Sequence, residues 1–160
     1  MAHGAYLSIT GQKQGKIKGP VSLIGRKDTI QVFGGFHEIV SPRDSYSGLP
    51  TGQRIHKPLT FIKEIDCSSP LLLNALVTNE NLKEVVLQLW HQDRGGRDAA
   101  FYTIRLINAS LAAYKLVLSM DGSDAAQHPE REEFSLTYQK ITWTWEPGAI
   151  SASDDWEARV

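Results

Sequence analysis

Hydrophobic and polar residues alternate with a period of two along most of the chain, and this period is typical of β-strands. The alternation predicts strands over residues 5–10, 30–40, 58–66, 82–92 and 101–120. The second of these contains Gly34 and Gly35, and a glycine pair inside a strand marks a bulge or a sharp bend. The fifth is long enough for two strands or for one strongly bent strand.

The hydrophobic pattern changes phase within residues 133–146. Apolar side chains occupy even positions from 134 to 138 and odd positions from 141 to 145. A strand keeps its buried face across such a slip when one extra residue is inserted, so we predict a bulge near Gln139 and Lys140. The Pro-Gly pair at 147–148 ends the run.

One helix interrupts the strands. Ser68 or Ser69 can cap it, and Pro70 suits a first helical position, where its missing N–H costs nothing. The apolar residues that follow, 71–73 and 75–77, leave almost no polar face. A helix that is apolar nearly all round needs cover on most sides, which the end of a barrel or a neighbouring subunit can provide.

About eight strands and one short helix indicate a mostly β fold in one domain, residues 1–160. The RGGR sequence at 94–97 predicts a hairpin turn, because glycine accepts the positive φ that such turns require. We expect an antiparallel β-barrel of two packed sheets, closed or nearly closed, with a short flanking α-helix and a long extended loop, since closure removes unpaired strand edges.

Composition narrows the functional classes. Hydrophobic residues make up 41% of the 160 residues, which argues against disorder. Seventeen basic and eighteen acidic residues give a net charge of −1, which disfavours a general nucleic-acid binder. Cys67 is the sole cysteine, so no internal disulfide forms, and folding in a reducing compartment is expected. We expect neither a signal peptide nor a membrane span.

The candidate chemistry is sparse. His37-Glu38 begins like a zinc-binding helix motif, but Ser41 stands where the second histidine must be. The other histidines, His3, His56, His91 and His128, are isolated in the sequence. Cys67 is interpreted as a small buried core thiol rather than a reactive one. Without a phosphate-binding glycine loop or a defensible pair of catalytic carboxylates, we expect no enzyme activity, no metal and no cofactor.

The longest stretch without a strand or helix pattern is residues 41–57, SPRDSYSGLPTGQRIHK. Loops longer than about 12–15 residues are uncommon in compact domains and are usually functional or disordered. This one is locally basic and also contains apolar side chains: Arg43, Arg54 and Lys57 against Asp44, with Tyr46, Leu49 and Ile55. It is either a solvated loop or an arm that becomes ordered on a partner, since Arg and Tyr are typical of interfaces.

Three blocks of the sequence are similar to a known family. These are YLSI…GQKQGKIKG near the N-terminus, TGQRIHKPLTFIKEIDCSSPLLLNAL at 51–76 and LTYQKITWTWEPGAISASDDWEAR at 136–159. The chain resembles the haemolysin-coregulated protein (Hcp) family of type VI secretion systems over residues 6–159. The most specific pieces are RIHKP, FIKEID followed by the serine-capped helix, and YQKITWTW, and the weakest lie at 92–98 and 121–130.

The resemblance implies a structural subunit of the type VI secretion inner tube. Six copies would form a homohexameric ring with a wide channel, and the rings would stack inside a contractile sheath beneath a VgrG-like spike. Effector proteins would travel in the channel, held and protected by the ring. The subunit would be cytoplasmic on assembly and then secreted without a signal peptide. The chain ends soon after DDWEAR, which suggests the form without a C-terminal toxin domain.

The resemblance also implies that residues 41–57 are an extended arm at ring contacts. The expected contact residues are Arg43, Asp44, Tyr46, Leu49, Arg54, Ile55 and His56. The N-terminal turn at residues 12–18 is a further candidate for the opposite ring face. Two alternatives remain: a monomeric β-barrel that binds a small ligand inside, and an enzyme such as a hydrolase with an unrecognised site.

Overall fold

Antiparallel strands dominate the computed structural model, which describes residues 4–118 and 130–155. His3, His128 and the last two residues of the predicted strand 101–120 lie outside this part. The elements in chain order are β1 Gly4–Gly11, β2 Gly15–Ile17, β3 Ile30–Val32, β4 Gly34–Phe36, β5 Ile39–Val40, β6 Ile55–His56, β7 Leu59–Glu64, α1 Ser69–Val77, β8 Leu82–Gln92, β9 Asp98–Leu118, β10 Glu130–Thr137, β11 Lys140–Trp145 and β12 Ile150–Asp155. The prediction of a mostly β fold with one short helix is confirmed for these residues.

The long strand β9 organises the sheet. Its first half pairs with β8 and β11, and its second half pairs with β10. Beyond β8 the ten-stranded sheet continues to β1 and β2, and beyond β10 it continues to β7 and β4. In addition, β12 pairs with β11, and β3 pairs with β1. The expected strand over 101–120 is therefore one strand shared by both halves of the sheet.

The two halves pack face to face around an apolar core. The core residues include Leu7, Ile9, Val85 and Leu106 from the β1–β8 half and Leu59, Phe61, Phe134 and Leu136 from the β7–β10 half. Phe61 and Phe134 stack with ring centroids 5.4 Å apart. Alternate residues of β3 and β10 are buried, as the period-two pattern predicts for these strands.

The expected closed barrel is not formed in the part of the chain that the structure describes. β3 pairs with β1 and β4 pairs with β7, but no ladder joins β3 to β4. One hydrogen bond, from Phe33 N to Ile62 O at 3.0 Å, spans the junction. Between β3 and β4 the chain crosses from one half of the sheet to the other. The sheet edges formed by β3 and by β4 therefore lie close together without a ladder between them.

The prediction of one strand over residues 30–40 is wrong, because the structure has three short strands there, β3, β4 and β5. Gly35 lies inside β4, where a Cβ would lie 2.5 Å from Thr60 O. β4 therefore approaches β7 more closely than any other residue type would permit. The chain then leaves this ladder and enters β5, which pairs with β6 in a separate two-stranded sheet.

The phase change predicted near Gln139 and Lys140 is present. β10 ends at Thr137 and β11 begins at Lys140, and both strands run antiparallel to β9. Asn108, opposite this break, adopts a left-handed backbone with φ of 51°. The slip therefore takes the form of a break between two strands rather than a bulge inside one strand.

The helix begins as predicted, but its surroundings differ from the expectation. Ser68 is the N-cap residue without a side-chain capping bond, and its hydroxyl donates instead to Asp66 Oδ1. Leu72 and Ala75 are buried against the sheet, whereas the side chain of Val77 is 77% exposed. The sheet thus covers one face of α1 and leaves other apolar positions open.

A buried ionic network fixes the start of α1. Lys63 and Glu132 are fully buried, and Lys63 Nζ donates to Glu132 Oε1 and, at 3.0 Å, to Ser69 Oγ. Asp66 Oδ1 lies 3.3 Å from the same ammonium group. Burial and the neighbouring Glu132 raise the pKa of Tyr114. Since buried charges need partners, this network explains the polar residues within the otherwise apolar FIKEID segment.

A second buried carboxylate fixes the turn beside the end of α1. Glu80 Oε2 accepts hydrogen bonds from the backbone N–H groups of Lys13, at 3.3 Å, and Gln14, at 3.1 Å. A Cβ on Gly11 would lie 2.0 Å from this oxygen, so a larger residue there would displace the Glu80 carboxylate. The predicted N-terminal turn at residues 12–18 is present at 12–14, where Glu80 orders it, and residues 15–17 form β2.

Other expectations have clear outcomes. The RGGR hairpin is confirmed, with Asp93 Oδ1 accepting from Gly95 N at 2.8 Å and Gly96 at φ of 78°. The hydrogen bond from Arg97 N is the main reason that the pKa of Asp93 is lowered.

The interpretation of Cys67 as a buried thiol is wrong, because its side chain is exposed beside Lys18. Among the described residues, no helix has the length and apolar character needed to cross a membrane.

Candidate assembly site

Residues 41–57, called the arm here, form a hairpin. Its base is the β5–β6 pair, in which Ile39 faces His56, and Arg43 and Pro50 form a second bridge farther out. Backbone bonds join the limbs at Asp44 N to Leu49 O, 2.9 Å, and at Thr51 N to Pro42 O, 3.0 Å. The arm therefore has an ordered backbone of its own, which disfavours the interpretation as a solvated loop.

The tip of the arm is a local turn built around Asp44. Its Oδ1 accepts from the backbone N–H of Tyr46 at 2.7 Å and of Ser47 at 3.3 Å, an arrangement that favours turns. Gly48 supplies the positive φ of 72°. The turn holds the side chain of Tyr46 fully exposed and that of Leu49 64% exposed. The tip thus presents apolar groups from a pre-ordered backbone.

The base of the arm docks on β12. Arg54 makes a bidentate pair with Asp154, donating from Nε to Oδ2 and from Nη2 to Oδ1 at 2.7 Å. The side chain of His56, 1% exposed, places Nε2 at 2.7 Å from Asp154 Oδ2. The hydrogen bonds from Arg54 and His56 hold the pKa of Asp154 below its usual value.

Two histidines meet at the hydroxyl of Tyr138 behind this ion pair. His56 Nδ1 lies 2.6 Å from Tyr138 Oη, and His37 Nε2 lies 2.8 Å from the same atom. The Asp154 carboxylate accepts from His56 Nε2–H, so in neutral His56 the Nδ1 atom accepts from the tyrosine O–H. The tyrosine oxygen then accepts from His37 Nε2–H. Burial and Asp154 raise the pKa of Tyr138, so the hydroxyl keeps its proton.

The structure divides the seven expected contact residues into two groups. Arg43, Tyr46, Leu49 and Ile55 have exposed side chains, whereas Asp44 orders the tip and Arg54 and His56 bind β12 and Tyr138 within the chain. Sequence reasoning missed His37, Tyr138 and Asp154 as parts of the site. The available signal was that Tyr138 and Asp154 both lie in the block 136–159 that carries the family resemblance.

An apolar cavity of about 600 Å³ opens between the two halves of the sheet beside the arm. Phe36 and His37, which lead into β5, form part of its wall. The rest of the lining includes Phe33, Leu87, Leu89, Trp90, Phe101 and Ile104. The lining contains no Asp, Glu, Lys or Arg, so it suits an apolar occupant.

No group of three or more His, Cys, Asp or Glu side chains within residues 4–118 and 130–155 is arranged to hold a metal ion. The His37–Glu38 pair falls at the junction of β4 and β5 rather than on a helix. What the site offers chemically is hydrogen bonding, charge pairing and exposed apolar surface.

The chain is mostly β and carries an arm docked on its own body, and comparisons with known proteins identify its family. The family model for "Type VI secretion system effector, Hcp" matches residues 6–145. The "Major exported protein" of Pseudomonas aeruginosa is 39% identical over 170 residues, covering 100% of this chain and 99% of that protein. The chain belongs to the Hcp family of type VI secretion systems.

Solved structures carry the same fold. A crystal structure described as that of an Hcp protein superposes with a TM-score of 0.90 at 30% identity, covering 99% of this chain and 100% of the other. The secreted protein Hcp3 from Pseudomonas aeruginosa gives a TM-score of 0.80 at 33% identity, covering 98% and 100%. Hcp is a structural family rather than an enzymatic one, and membership implies self-assembly within a type VI secretion system.

Proposed function

We propose that this chain is a subunit of the type VI secretion inner tube, which forms hexameric rings that stack. In this role it is assembled in the cytoplasm and expelled by a contractile sheath beneath a VgrG-like spike, with effector proteins held in the channel. The names "Major exported protein" and "Secreted protein Hcp3" of two relatives support export.

The observation that carries the proposal is the arm. A ring or a stack repeats one head-to-tail contact, so a projecting element on one copy must meet a different surface on the next. The arm has an ordered backbone, an anchored base and exposed Tyr46, Leu49 and Ile55. We assign Arg43, Tyr46, Leu49 and Ile55 to contact with the neighbouring copy, and Asp44, Arg54 and His56 to holding the arm in shape.

The exposed Arg43 gives this contact a charged component, since Arg54 and Lys57 are paired with Asp154 and Glu38. Such a contact weakens as salt screens the charges, which suits a tube that assembles in the cell and later comes apart. The uncovered positions of α1, Leu71 and Val77, are further surface available to a neighbour.

The test is removal of the arm tip. Deletion of residues 44–51 is expected to leave the sheet folded, because the backbone hydrogen bonds of the tip run within the arm, and to abolish tube formation in electron micrographs. A milder variant, Tyr46→Ser with Leu49→Ser, is expected to weaken assembly without moving the thermal unfolding midpoint.

The matched control removes two exposed apolar residues from another loop, Leu23→Ser with Ile24→Ser, which are 48% and 94% exposed. Tubes of normal length and number from the tip deletion would refute the role of the arm. Equal loss of tubes in the control would show that assembly responds to surface hydrophobicity in general.

The cavity supports a second candidate function, a monomeric protein that binds a small apolar ligand. A volume of about 600 Å³ falls within the usual range of ligand pockets. Native mass spectrometry separates the two functions, since the tube subunit gives hexamers and the ligand carrier gives monomers with a retained small-molecule mass.

A further inference from the structure

Two complementary apolar features lie at the arm end of the fold. The tip holds the side chain of Tyr46 fully exposed and that of Leu49 64% exposed. The cavity of about 600 Å³ opens beside the base of the same arm, and Phe36, 67% exposed, belongs to its wall. Since the tip residues are exposed, the hairpin carries them away from the cavity of their own chain.

The tip and the cavity match in chemistry. Residues 45–49 carry no charge, and the cavity lining contains no Asp, Glu, Lys or Arg, so their contact desolvates no ion. Phe33, Trp90 and Phe101 give the cavity aromatic walls, against which a tyrosine ring packs well. The lining also includes Gln31, whose amide is a hydrogen-bonding group for a tyrosine hydroxyl.

Size and rigidity also suit insertion of the tip. A cavity of about 600 Å³ lies in the range that encloses a drug-sized ligand, so it has room for a tyrosine and a leucine side chain. The turn around Asp44 already orders the tip, so insertion costs little additional backbone entropy. By contrast, the exposed apolar positions of α1 lie on the convex surface of a helix and offer no concave site.

The positions of the two features suit copies arranged around a ring axis. The arm leaves the body next to Phe36 and His37 of the cavity wall, so arm and cavity lie at one end of the fold. At about 3.3 Å per residue, the limb from Val40 to Tyr46 extends up to ~20 Å from its base. Copies related by rotation present this end on the same side of the ring, so the arm of one copy extends sideways toward the cavity of the next.

We infer that the cavity of each copy receives the arm tip of a second copy, with Tyr46 and Leu49 as the inserted side chains. The inference rests on the proposed function, because it names the surface that the arm meets. The tip and the cavity are then both exposed in a single chain because each is covered only on assembly. The competing possibilities are a small apolar ligand in the cavity and a tip that contacts the helix end of a stacked copy.

Cross-linking between copies tests the contact directly. One preparation carries Ser45→Cys beside the tip and another carries Gln31→Cys at the cavity, where both native residues are exposed, in a Cys67→Ser background. After assembly of the mixture and treatment with a short bismaleimide, a cross-linked heterodimer is expected as the main product on a denaturing gel. Val77→Cys, at a position 77% exposed at the helix end, replaces Gln31→Cys as the matched acceptor and is expected to give little product.

A double-mutant cycle tests whether the two features touch each other. Tyr46→Ala and Phe36→Ala are each expected to raise the subunit concentration at half-assembly about tenfold, measured by sedimentation velocity. Two independent sites would give a rise of about a hundredfold in the double variant, whereas a shared contact gives much less, because either truncation already loses it. Thermal unfolding of these variants is expected to match the parent, since both side chains are largely exposed.

The possible outcomes separate this contact from the tube proposal. Absence of the product with Gln31→Cys, a stronger product with Val77→Cys, additive effects in the cycle, or one small molecule retained per copy in native mass spectra of rings would each overturn the inference. Cross-linking at Gln31→Cys within closed dimers, without rings, would refute the tube and keep the cavity as the receiver of the arm. Tubes whose tips cross-link only to Val77→Cys would do the reverse.

Discussion

The end of the fold covered by α1 differs in kind from the end that carries the arm. At the helix end, the charges of Lys63, Glu80 and Glu132 are buried, and each carboxylate or ammonium group has partners within the chain. At the arm end, an apolar cavity stays open and large apolar side chains such as Phe36 and Tyr46 are exposed. The contrast shows where the chain buries its charges, and it supports the proposal that the arm end contacts neighbouring copies.

The strongest test of this contrast is the buried ion pair at the helix end. Glu132→Ala leaves Lys63 buried without its main partner, and we expect a loss of about 4 kcal/mol in the free energy of unfolding, measured by urea denaturation. Removing both charges, Lys63→Met with Glu132→Leu, is expected to recover most of this loss. A single variant as stable as the parent would show that Asp66 and Ser69 suffice for Lys63.

Matched truncations of apolar side chains extend the comparison. Leu72→Ala opens a cavity under α1 and is expected to cost about 3 kcal/mol. Phe36→Ala at the arm end removes a side chain that is 67% exposed, and a change below about 0.5 kcal/mol is expected. Thermal unfolding measures both, and similar losses would mean that the two ends contribute equally to stability.

A pair of glycine substitutions, one at each end of the fold, is expected to give the smallest difference in stability between the two ends. Gly11→Ala forces Glu80 away from the N–H groups of Lys13 and Gln14, and we expect a loss of about 2 kcal/mol because a buried carboxylate loses two hydrogen bonds. Gly52→Ala in the arm meets nothing within 4 Å and is expected to cause no loss. Equal denaturation midpoints for the two variants would contradict the assigned role of Glu80.

The sequence was most informative where the determining interactions are local. Ser68 and Pro70 mark the start of α1 within a few residues of it, and Asp93 with Gly96 determines a turn of neighbours. The phase change before Lys140 could also be predicted, because it depends on residues within one short segment. The alternation of apolar residues likewise identified most of the long strands, because it reports directly on which face is buried.

Features that depend on distant residues were not predictable from pattern. The break between β3 and β4 accompanies a change of partner strand from β1 to β7, and the arm could be located but its internal anchors could not. His56 is 98 residues from Asp154 and 82 from Tyr138, so no local spacing links them. The same holds for the exposure of Cys67, which depends on what the neighbouring strands leave uncovered.

The 21 residues of β9 have a mechanical consequence. In antiparallel pairs the interstrand bonds run perpendicular to the strands, so a pull along β9 loads its ladders with β8, β10 and β11 in shear. Many bonds must then fail together instead of one after another. A pull along β9 is therefore expected to meet more resistance than a pull on the two-residue pairing of β5 with β6.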